Sequence, residues 1–199
     1  MREHIDGAMI SVAMDRIPVT DPFAEILASQ VRQARMLDKL AQLADPNAAP
    51  EAADLAGRLL AFLMIELPRD LDDEEAVIVA IESQPDAPDC LVTVATAVRE
   101  EHAAIGQLLT PVMRGLRYLS VGRHPAAPAA FGGACTVLME FMRLHADYVQ
   151  GTLLPLAKRL AGPQALSDLL LDMACRREPV DAAQPAPTKA GEAEAAVPA

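Results

Sequence analysis

The chain has 199 residues, which argues for one domain rather than two, and 52% of them are apolar, enough for a sizeable core. Aromatic residues make up only 3% and tryptophan is absent, so that core must come from Ala, Leu, Val, Ile and Met, largely good helix formers. A net charge of −11 excludes nucleic acid or an anionic membrane as the main partner, since both need a basic surface.

Residues 1–19 read as a lead-in. Acidic residues interrupt them and they have no long apolar core, so they do not form a signal peptide. "TDPFAEILASQVRQARMLDKLAQLAD" follows. Thr20 or Asp21 can cap a helix, Pro22 suits its first turn, and Ile26, Leu27, Val31, Ala34, Leu37, Leu40, Ala41 and Ala44 recur near the helical period. "DPNAAP" ends this first helix.

A second helix is expected from about Glu51 to Ser83, kinked by Pro68. Its run "AGRLLAFLMIEL" is the most apolar stretch but is too short to span a bilayer and carries Arg58. "QPDAPD" breaks the chain. A third helix fits "CLVTVATAVREEHAAIGQLLTPVMRGLRYLS", with Pro111 inside it. A fourth fits "AAFGGACTVLMEFMRLHADYVQGTLLPLAKRLA", with Pro155 inside, and "GPQALSDLLLDMACRRE" gives a short fifth. The Ala- and Pro-rich end, 178–199, is expected to be a disordered tail. No segment alternates like a strand, and four long helices with short connections predict an antiparallel bundle over 20–177.

Cys90, Cys135 and Cys175 are odd in number and far apart, with no CxxC, which implies reduced thiols and a cytoplasmic protein. No nucleophile–base set, Walker motif or GxSxG is present, so an enzyme is not expected.

Several ionisable residues fall where an apolar stripe should run. Asp70 and Glu74 are spaced i, i+4, so both carboxylates share one helix face. His102 lies between Val98 and Gly106, and His145 between Phe141 and Val149; Gln30 sits near the middle of the first helix. Taken singly, each has an ordinary reading. "RDLDDEE" reads as a solvated acidic face, His102 as a solvated helix residue beside Glu100 and Glu101, and His145 as a satisfied core histidine. Converging, two imidazoles and a carboxylate would suit a divalent first-row metal.

The segments "DPFAEILASQVRQARMLDKL", "FLMIELPRDLDDEE", "REEHAAI", "LHADYVQGTLLPLAKRL" and "DMACRR", in that order and spacing, resemble bacterial hemerythrin-like (HHE cation-binding) proteins over residues 21–177. The resemblance implies an all-α, up-down four-helix bundle around a non-haem iron site, and a role in binding O2 or sensing oxygen, NO or redox state. By position it places metal ligands at Gln30, Asp70, Glu74, His102 and His145, with Val149 where the family has a carboxylate. Gln30 and Val149 are poor iron ligands. The resemblance therefore implies one iron ion held by Glu74, His102 and His145, with Asp70 as a fourth or supporting group, rather than a di-iron pair. The alternative is a metal-free bundle in which Gln30 pairs with Asp70 and His102 with Glu74, serving as an interaction or regulatory module for a protein partner or a second copy.

Overall fold

The structure, a computed structural model, describes residues 20–44 and 52–177. The expected lead-in at 1–19 and tail at 178–199 lie outside the described residues. All regular structure among the described residues is helical: α1 (Pro22–Ala44), α2 (Ala52–Ala61), α3 (Leu67–Glu82), α4 (Cys90–Ser120), α5 (Pro128–Tyr148), α6 (Leu154–Leu160) and α7 (Pro163–Arg177). Asp21 caps α1, its Oδ1 accepting the Phe23 amide at 2.9 Å.

Two single π turns, Phe62–Glu66 and Val149–Leu153, join α2 to α3 and α5 to α6. Each closes on a leucine amide, Leu67 N–H to the Phe62 carbonyl and Leu154 N–H to the Val149 carbonyl. Each leucine is followed by a proline, Pro68 or Pro155. A proline has no N–H and its ring crowds the carbonyl four residues back, so one extra residue in the turn lets the helix continue past it. The expected kink at Pro68 is therefore taken up as a π turn, and Pro155 follows a second one. Pro111 sits within an unbroken α4.

Helix contacts run from α1 to α2, α2 to α4, α4 to α5 and α5 back to α1. They enclose two apolar clusters. The first gathers Phe23 and Ile26 from the start of α1, Val77 and Ile78 from the end of α3, Leu91 and Val98 from the start of α4, Leu153 and Ala157 from the second π turn and α6, and Leu169 and Met173 from α7. The second gathers Leu40 and Leu43 from the end of α1, Leu59 and Leu63 from α2 and the first π turn, Ile105 and Leu116 from α4, and Cys135 and Met142 from α5. The start of one helical stretch thus packs beside the end of the next, so successive stretches run in opposite directions.

Between the clusters every stretch turns polar. Ser29, Gln30 and Gln33 are buried in α1, Asp70, Asp73 and Glu74 in α3, and His145 in α5, with the half-buried His102 in α4. This layer corrects the expected stripe of α1: Val31 and Ala34 are exposed, and the mid-helix buried face is polar instead.

Helix α7 lies against α1 and α3. Asp73, 1% exposed, is held by Arg176 Nε at 2.9 Å and by the Arg177 guanidinium, which also lies 3.3 Å from Glu25. These ion pairs dock α7 on the back of the polar layer.

In α4, Gly115 lies beneath Phe131 of α5, and a Cβ there would fall 2.1 Å from the ring. Alanine favours a helix over glycine by about 1 kcal/mol. Overpacking should win, and Gly115→Ala is expected to destabilise the protein by about 1–3 kcal/mol in urea unfolding. The loss should shrink when Phe131→Leu is added, because the side chain in the way is then smaller.

Candidate metal centre

The site forms where the polar stretches of four helices meet. In α3, Glu74 is fully buried, and its Oε2 lies 2.9 Å from His145 Nε2 and 3.1 Å from His102 Nε2. The two imidazole rings are 5.1 Å apart, centre to centre, and nearly edge-on. One donor atom each from Glu74, His102 and His145 falls within a 4.8 Å span.

The surrounding residues finish the layer. Gln30 Nε2 donates to Glu74 Oε1 at 3.3 Å, and Gln150 Nε2 donates to Gln30 Oε1 at 2.8 Å. Glu101 Oε2 accepts from His145 Nδ1 at 2.8 Å. On the surface above, Arg99 bridges Glu75 and Glu82, tying α4 to α3.

The charges follow from this geometry. Burial opposes charge on His145. Its hydrogen bonds to Glu74 and Glu101, and the negative charge of both, outweigh burial and raise its pKa above 6.5. A carboxylate faces each ring nitrogen. Burial likewise pushes the Glu74 carboxyl upward, but the hydrogen bonds from His102 and His145 prevail and lower it below 4.5.

The predicted residues separate into two groups. Glu74, His102 and His145 come together, and Gln30 reaches the same carboxylate. Asp70 faces elsewhere: Gln33 Nε2 donates to its Oδ2 at 3.1 Å and Arg32 lies 3.6 Å from Oδ1. The expected His102–Glu74 pair is present, but Gln30 pairs with Glu74, and Gln33 takes Asp70. The stretch "RDLDDEE" is not a solvated face, since Asp70, Asp73 and Glu74 are all buried. His145 is buried with a carboxylate at each nitrogen, which agrees with the reading of a satisfied core histidine.

Glu101, Gln33 and Gln150 were not singled out from the sequence. A signal for Gln33 was present: Ser29, Gln30 and Gln33 make a polar patch on one face of α1, opposite the patch Asp70, Asp73 and Glu74. Gln150 follows His145 by five residues and reaches the layer where the second π turn widens the helix. An i, i+4 search passes over it and stops at the buried Val149.

No family model, no curated protein and no solved structure matches the chain.

Asp70 gives a test of the burial argument. Burial, offset in part by Gln33 and Arg32, pushes its pKa from 3.8 up to about 6. The native state therefore binds this proton more tightly than the unfolded chain. The stabilisation is complete below 3.8 and is lost as pH rises through about 6. Asp70→Asn should raise stability by about 2–3 kcal/mol at pH 7.5 relative to the parent. That difference should shrink steadily when the same urea titrations are repeated towards pH 5.

Proposed function

We propose that the chain is a hemerythrin-like cation-binding protein whose polar layer holds one non-haem metal ion, iron, and that it acts as a sensor or carrier for O2, NO or redox state rather than as an enzyme. The observation that carries this reading is the convergence of Glu74, His102 and His145, from three helices, on one point in the core. The alternating helix directions support an up-down four-helix bundle with α7 as a fifth helix. The three free cysteines support a cytoplasmic, reducing location.

The donors fit the ion. Two imidazoles and a carboxylate are a donor set for a divalent first-row metal with open positions beside it. One donor atom from each of the three residues falls within a 4.8 Å span, with His145 and His102 2.9 and 3.1 Å from Glu74. Gln30 engages the other oxygen of Glu74 and is itself fixed by Gln150, which leaves a single oxygen for a single ion and argues against a bridged pair. Bound iron would supply one-electron redox chemistry and a position for a diatomic ligand. The raised pKa of His145 means that a proton competes with a cation for its ring, so cation affinity should increase with pH.

A second reading has its own support. Each side chain of the layer already has a partner within the protein: Glu74 accepts from Gln30, His102 and His145, and Asp70 accepts from Gln33. Such a layer can stand without a cation, as a metal-free bundle that serves as an interaction or regulatory module for a protein partner or a second copy.

Loading separates the two. Protein incubated anaerobically with ferrous iron and desalted should retain one iron per chain by elemental analysis, and should melt higher than a chelator-treated sample. His102→Ala and His145→Ala should each retain none. A wild-type protein that keeps no iron, and whose melting temperature ignores chelator, would leave the metal-free module. Repeating the loading between pH 6 and 8 should show uptake strengthening with pH, with protons released into a weak buffer.

A further inference from the structure

We propose that Glu101 is the positioning residue of the cation site, holding His145 from behind so that its Nε2 faces Glu74 and His102. The inference rests on the metal-site reading above and adds a residue with a defined task.

Glu101 precedes His102 on α4, yet its carboxylate does not join the three converging donors. It reaches across to α5 and accepts from His145 Nδ1 at 2.8 Å, on the opposite side of the ring from Glu74. An imidazole buried among apolar neighbours can swing about its side-chain bonds, and either nitrogen can carry the proton. An acceptor fixed at Nδ1 removes both freedoms: Nδ1 keeps its hydrogen, and Nε2 is left to donate to a cation. The negative charge behind the ring also makes Nε2 a stronger donor. Among the described residues no carboxylate hydrogen-bonds His102 Nδ1, so the two imidazoles are unequal, with His145 the better fixed.

Neighbouring residues place the carboxylate. Arg99, two positions earlier on α4, is engaged by Glu75 and Glu82 and so does not draw Glu101 away. The Glu101 side chain remains 28% exposed, at the edge of the layer rather than inside it.

The test uses the full chain and cobalt(II) alone as a spectroscopic probe. Affinity is measured by competition with a chromophoric chelator, the visible cobalt bands are recorded, and melting is followed without metal. Glu101→Ala should weaken cobalt binding about 10- to 100-fold and change the bands. Glu101→Gln keeps an oxygen that can accept from Nδ1 and should restore most of the affinity. If the alanine variant does not fold, Glu101→Met, which keeps the stem and removes the acceptor, takes its place. The proposal is overturned if the acceptor-free variant binds cobalt as tightly as the parent, or if the glutamine variant is as weak as the alanine one. A lower melting temperature with unchanged affinity also overturns it, as a purely structural role. A parent protein that takes up no cobalt is a different failure, that of the metal site itself.

Discussion

The Glu74 carboxylate fixes the arrangement of the molecule. It is fully buried, and a carboxylate in that position is tolerable only with charge-assisted partners on its oxygens. Those partners come from α1, α4 and α5, so one side chain of α3 ties together four helical stretches. Sliding α4 or α5 by one turn, about 5.4 Å, would set Val98 or Gly106, or Phe141 or Val149, opposite Glu74 in place of an imidazole. Apolar clusters at the two ends supply most of the burial but are built of interchangeable aliphatic groups. The polar layer sets which register they adopt, a use of buried polarity better attested than any net gain in stability.

The same layer has two ways of being satisfied. Internally, both imidazoles meet Glu74, and His145 sits between two acidic side chains. Alternatively, the cluster of Glu74, His102 and His145 could hold a metal ion. Glu74 serves both states because its second oxygen is held separately by Gln30.

Much of the helix map was legible in the sequence. The break at "QPDAPD", the cap at Asp21 and the absence of strands among the described residues all follow from local chemistry, which needs no tertiary information. The triad was also within reach, because Glu74, His102 and His145 each interrupt an apolar stripe. Their partners were harder to see. Glu101 looks like a surface acid next to Glu100, and only the packing of α4 against α5 turns it towards His145. Gln33 and Gln30 are one turn apart and chemically identical, so which one meets Asp70 depends on an interhelical offset of a few ångströms. Val31 misled the reading of α1 because the buried face there is polar, and hydropathy alone points the helix the wrong way.

The two π turns have a consequence for how such a chain can vary. Each holds one residue more than a straight helix needs, and one residue turns a helix by about 100°. The stretch from Ala52 to Glu82 is therefore two amphipathic segments out of phase with each other, α2 facing one cluster and α3 presenting Glu74. Loss of a single residue from Phe62–Glu66 would not shorten the helix appreciably. It would rotate α2 relative to Glu74 and turn one half of the stretch away from the core. Single-residue insertions and deletions at these two turns are thus rotational changes, able to re-aim one half of a helix while leaving the other in place.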